Sequence, residues 1–200
     1  MRHWSELELD ALAEAFNVGV GAAAAVLSRM VGAEVVLSVP ELKVVDAAAA
    51  LEAFGIAAHD RVCAVIQPYG GAFDSRALLM FTEARSYDLV RAVVPAHMTD
   101  MRMGDMAQDA LTEVGNLVLD ACLTAVGDLL AAPLSTRVPY LVKGEAAEVI
   151  GHMQGEEMML LHMLFSIADR NIDGYVAFLL EQRAMQALQE AVGRFLCAHL

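Results

Sequence analysis

Two short strings carry the same three polar residues at the same spacing. Asp10, Glu14 and Asn17 stand in DALAEAFN; Asp109, Glu113 and Asn116 stand in DALTEVGN. On a helix turning about 100° per residue, with Asp10 at zero, Glu14 falls near +40°, Asn17 near −20° and Gly21 near +20°. Carboxylates, amide and glycine therefore share one narrow stripe. An asparagine amide holds an acceptor and a donor side by side. It can accept from a water and donate to a phosphoryl oxygen, setting that water in line with phosphorus. Phosphoryl transfer depends mainly on such orientation and on charge. A glutamate on the same stripe can pair with a partner's cation or help hold the water. Gly19, Gly21, Ala22 and Ala24 keep the helix slim enough to enter another protein's cleft.

A polar stripe on an amphipathic helix is usually only its solvated face. Two features argue otherwise. A solvated face chooses freely among Glu, Lys, Gln, Asp and Arg, yet both stripes keep the same residues in the same order. Neither stripe has a Lys or Arg at i+3 or i+4 for the usual exposed pairs. Asn is also a poor helix former in mid-helix.

The repetition extends beyond the helix. Pro40 follows Asn17, and Pro139 follows Asn116, each after 22 intervening residues, and all four anchors recur at an offset of 99. Ala77–Phe81 then falls on Val176–Leu180 and Asp74 on Asp173. The expectation is two halves, about 1–99 and 100–200, each running helix, strand, helix, strand, strand, helix. The first half predicts helix 6–30, strand 34–45 interrupted at Pro40, helix 46–54 capped by Asp46, strands 62–68 and 75–81 around a turn at 69–74, and helix 84–94. The second predicts helix 105–131, strand 134–142, helix 145–154, strands 157–167 and 172–180 with a turn at 170–174, and helix 181–198. A linker is expected near 96–103. Neither half can cover both faces of its own sheet. The pattern therefore predicts one α/β domain over 1–200, a continuous, mostly antiparallel sheet with long helices packed on it about a pseudo-two-fold axis.

With 58% apolar residues in 200, the chain can bury a large core. The uncharged run from Ala15 to Ser28 spans 14 residues, short of the about 20 that a bilayer helix needs. Met1–Leu12 carries Glu6, Glu8 and Asp10 and no apolar signal core. The expectation is a cytoplasmic protein with no membrane span. A formal net charge of −13 argues against nucleic acid and anionic membranes. Cys63, Cys122 and Cys197 are odd in number and far apart, which reads as buried reduced thiols. The GxG in Asn17-Val-Gly-Val-Gly lacks a preceding strand and a third glycine, so it is not a nucleotide loop. The histidines have no metal-ligand spacing.

The doubled motif resembles that of the CheC / CheX / FliY phosphatases of bacterial chemotaxis: Asp or Ser, three residues, Glu, two residues, Asn, then 22 residues and Pro. Both halves match in full, and two copies in about 200 residues look most like CheC. The resemblance implies dephosphorylation of phospho-CheY, with Asn17 and Asn116 orienting the attacking water and Glu14 and Glu113 pairing with the regulator's lysine. It implies that Mg²⁺ sits on the response regulator and that this chain needs no cofactor or metal. It also implies a second partner, the receptor deamidase CheD. Pro40 and Pro139 would be structural; Asp10, Gly21 and Asp109 would contact the partner. The competing expectation is a non-catalytic docking module like the middle domain of the flagellar switch protein FliM, which resembles CheC but lacks the Glu/Asn pairs.

Overall fold

The computed structural model describes residues 4–46, 49–71, 74–94, 100–131, 133–151, 157–167, 170–180 and 182–199. The elements run α1 (Glu6–Val31), β1 (Val35–Asp46), α2 (Ala50–Phe54), β2 (Arg61–Gly70), β3 (Ser75–Thr82), α3 (Glu83–Val93), α4 (Asp100–Leu130), β4 (Ser135–Thr136), β5 (Tyr140–Glu145), α5 (Ala146–Gly151), β6 (Glu157–Ile167), β7 (Arg170–Leu180) and α6 (Gln182–His199).

Local chemistry sets the ends of α1. Ser5 accepts from the Glu8 backbone N–H while the Glu8 carboxylate accepts from the Ser5 N–H, and Gly32 ends the helix in a left-handed conformation. Along the helix, Leu12, Phe16, Val20, Ala23 and Leu27 are buried, opposite the stripe of Asp10, Glu14 and Asn17 at the spacing of a helix face. Each large apolar side chain so buried contributes about 2 kcal/mol. By length and composition alone, Glu6–Val31 and Met106–Leu129 are apolar enough to cross a bilayer. Both instead bury one side in the core and expose carboxylates on the other.

All strand pairings are antiparallel, in one sheet ordered β1-β6-β7-β3-β2, with β4 and β5 both on the outer edge of β2. The β3–β7 seam joins the halves. The halves also exchange strands: β1 pairs with β6, and β5 pairs with β2. Alternation along the strands divides the core. Cys63 and Val65 face a cluster with Leu12 of α1, Leu89 of α3, Leu111 of α4 and Leu188 of α6. Val62, Ala64 and Ile66 face a smaller cluster with Phe54 of α2 and Val149 and Ile150 of α5. The long helices thus share one face of the sheet.

Several expectations need correction. Asp46 does not cap α2: it ends β1 opposite Glu157, and Ala49 takes the cap position without a side-chain bond. Pairing to β6 outweighs the local capping preference. The strand expected at 134–142 is split into β4 and β5. The turn expected at 170–174 lies inside β7. Gly174 is there because of crowding, since a Cβ would lie 2.5 Å from a Phe81 ring carbon. In the first hairpin, Tyr69 and Gly70 belong to β2. Residues 100–103 of the expected linker are helical and 96–99 lie outside the described residues; of the helix expected at 145–154, Glu145 ends β5, Ala146–Gly151 form α5 and 152–154 lie outside the described residues. The 99-residue offset also fails across the hairpins: it would carry the Val62–Thr82 pair onto Leu161 and residue 181, yet Leu161 pairs with Val176.

Burial controls the cysteines. Cys122 is fully enclosed on α4, and loss of hydration of its thiolate pushes the thiol up to about 12. Cys63 is buried as expected, but Cys197 is exposed, because it lies near the end of α6 on its outer side, against the expectation that all three thiols are buried. An alkylating reagent at pH 8 is expected to label Cys197 in the native protein, and Cys63 and Cys122 only after denaturation, with peptide mapping as the readout. The thiol of Cys122 ionises more easily in the unfolded chain, so its contribution to stability is complete below about pH 8.5 and is lost as pH rises toward 12.

Candidate functional site

On α1, Asp10, Glu14 and Gly21 are exposed and Asn17 is half-buried. On α4, Asp109 and Glu113 are exposed, while Asn116 and Asp120 are half-buried. Neither Glu14 nor Glu113 makes an ion pair among the described residues. Each long helix therefore presents a free carboxylate one turn before an amide that reaches toward the sheet.

The amides are anchored at one end. In β1 the register to β6 shifts between Ser38 and Glu41. Pro40 lies in that shift and has no N–H to offer a ladder. The Val39 N–H donates to Asn17 Oδ1 at 2.8 Å. The asparagine thus satisfies the donor freed by the irregularity, tying α1 to β1. The 22-residue spacing to the proline reflects this tie, since Val39 immediately precedes Pro40.

The second half reaches a similar result by other means. β2 pairs with Tyr140 through Ile66 and with Thr136 through Tyr69, so 137–139, with Pro139, stand outside the ladder. The Arg137 N–H donates to the Pro68 carbonyl at 2.9 Å, and Val138, the repeat counterpart of Val39, is 85% exposed. The anchor for Asn116 is instead Gln67 of β2. Its Nε2 donates to Asn116 Oδ1 at 3.1 Å and to Asp120 Oδ1 at 2.9 Å. Gln67 is completely buried, and its Oε1 accepts no bond among the described residues.

In both halves the amide carbonyl is held inside the protein, while the Nδ2 group has no partner among the described residues. Each Oδ1 thus accepts one bond from within the fold, whereas the Nδ2 donors are left unused among the described residues. A fixed pair of donors suits an anionic oxygen, and the adjacent glutamate suits a cation. Sequence reasoning missed Gln67 and the Val39 N–H. Gln67 had a signal, as the one strongly polar side chain in the apolar run VCAVIQP, since a buried amide needs a partner.

Two hairpins joined edge to edge in one sheet at the β3–β7 seam, with a long motif-bearing helix from each half on one face, define an α+β pseudo-repeat fold found in flagellar and chemotaxis proteins. FliY of Thermotoga maritima matches with a TM-score of 0.74 at 14% identity, over 96% of this chain and 99% of that one. The FliM middle domain of H. pylori matches with a TM-score of 0.62 at 8% identity, over 94% and 99%. CheX in the CheX-CheY-BeF3-Mg complex of Borrelia burgdorferi matches with a TM-score of 0.52 at 19% identity, over 84% and 97%. No protein-family model matches the sequence.

Proposed function

We propose that this chain is a cytoplasmic CheC-type phosphatase, one unit of two repeats over 1–200, that hydrolyses the aspartyl phosphate of a CheY-like response regulator. Asn17 and Asn116 each direct an Nδ2 donor at the phosphoryl group or the attacking water, and Glu14 and Glu113 pair with the regulator's lysine. Asp10, Gly21 and Asp109 border the docking surface. The metal stays with the regulator. The observation that carries the reading is that two asparagines, anchored by different partners, both keep the carbonyl inside and the amide donors free beside an exposed glutamate. Support for the partner comes from the CheX-CheY-BeF3-Mg complex, in which BeF3 mimics a phosphoryl group. In the same reading a CheD-like deamidase is a second partner.

The FliM resemblance supports an alternative, a docking module without catalysis, and a FliM of this fold is known in complex with FliG. One assay separates the two. A receiver protein from the same organism is charged with acetyl phosphate and Mg²⁺, and phosphate release is followed with and without this chain. Acceleration at substoichiometric amounts is expected; tight binding with no acceleration would leave the docking module standing instead.

A further inference from the structure

We infer that the two sites are unequal, and that Asp120 makes the α4 site the weaker one for a phosphorylated partner. This rests on the phosphatase reading and assigns which site does the work. Two independent differences carry it.

The first is steric. Phe16 and Gly115 occupy the same place in the repeat, each one residue before its asparagine. Phe16 stacks on Phe178 at 5.5 Å between ring centroids and stands between α1 and the sheet. Gly115 instead lets α4 settle onto β2, where a Cβ would lie 2.6 Å from Val65 Cβ. The surfaces follow. Val18 beside Asn17 is 70% exposed, while its counterpart Leu117 is half-buried. Gly21 has only open space where a Cβ would stand.

The second is charge. Asp120 occupies the place of Gly21. Its Oδ1 and Asn116 Oδ1 accept from one nitrogen at 2.9 and 3.1 Å, so they lie no more than about 6 Å apart. A phosphoryl group meeting the Asn116 amide therefore meets a carboxylate at similar range, and the α1 site has no counterpart. The cation on the neighbouring segment, Arg137, is paired with Asp74 at 3.2 Å. Coulomb repulsion between unit charges at about 6–8 Å, between the dielectric of water and that of a protein surface, disfavours occupancy by about twofold to a hundredfold. Hydrogen bonding to Gln67 holds the carboxylate in place.

The test compares phosphate release from an acetyl-phosphate-charged receiver by single and paired variants, with a melting curve for each. Asn17→Asp is expected to remove at least about two-thirds of the activity, and Asn116→Asp the smaller part. In the Asn17→Asp background, Asp120→Asn keeps an acceptor for Gln67 and removes the charge. It is expected to raise the residual rate by about twofold to a hundredfold, with the gain shrinking as salt is added. A residual rate that Asp120→Asn leaves unchanged or lowers in a folded protein overturns the inference, as does an equal loss from the two single Asn variants. Wild-type activity in the folded Asn17→Asp/Asn116→Asp protein would instead overturn the phosphatase reading itself.

Discussion

Changing Asn17 and Asn116 together to Asp is expected to cut acceleration of phosphate release by at least about a hundredfold, equivalent to about 2.7 kcal/mol, while the protein stays folded. The reasoning separates the two ends of each amide. Aspartate keeps an oxygen for the Val39 N–H and for Gln67 Nε2, so the bonds that hold the helices to the sheet survive. It removes the N–H donors and sets a negative charge against an incoming phosphoryl group. Alanine is the less clean substitution. Asn17→Ala leaves the Val39 N–H without its acceptor, at a cost of about 1–3 kcal/mol and a fall in Tm of roughly 3–10 °C. That outweighs the few tenths gained from alanine's helix propensity. Thermal melts beside phosphate-release rates check both parts. A folded double Asp variant that keeps full activity would mean that the amide donors take no part in the chemistry.

The second large effect is on stability. Gly115→Ala is expected to destabilise the protein by about 1–3 kcal/mol, although alanine is about 1 kcal/mol better than glycine in a helix. The added Cβ would sit 2.6 Å from both Cβ and Cγ1 of Val65 and 2.8 Å from Cγ2. Val65 is 2% exposed on a strand paired on both sides, so it has no room to retreat. Val65→Ala removes two of the three clashing atoms, so the double variant should be more stable than the two single losses predict. Urea unfolding of the four proteins measures this coupling. Strict additivity would mean that α4 shifts off the sheet without resistance.

The stripe of Asp10, Glu14 and Asn17 was legible because helix geometry converts spacing directly into angle. The apolar side of α1 followed for the same reason, and so did a pseudo-two-fold sheet from the repeat. What Asn17 bonds to was not legible, although the 22 residues to Pro40 held the clue: the count fixes Val39, the donor before the proline. The anchor of Asn116 lay further off, because Gln67 belongs to a strand of the other half. Asp46 misled because capping is a local preference and strand pairing is not. Asp173-Gly174 misled because the composition of a turn equally describes a strand position crowded by Phe81 and Phe165. Strand exchange itself leaves no mark in the pattern, since any apolar strand here could pair with any other.

That exchange affects the protein while it is being made. β1 leaves the ribosome early, yet its hydrogen-bonding partner is β6, and Val35 must wait for Ile167. At about 5–20 residues per second, the roughly 110 residues between the two strands take about 5 to 20 s to synthesise. Throughout that interval β1 offers unpaired backbone and the apolar side chains of Val35, Leu37, Val39 and Leu42 to whatever is nearby, including β1 of another nascent chain on the same message.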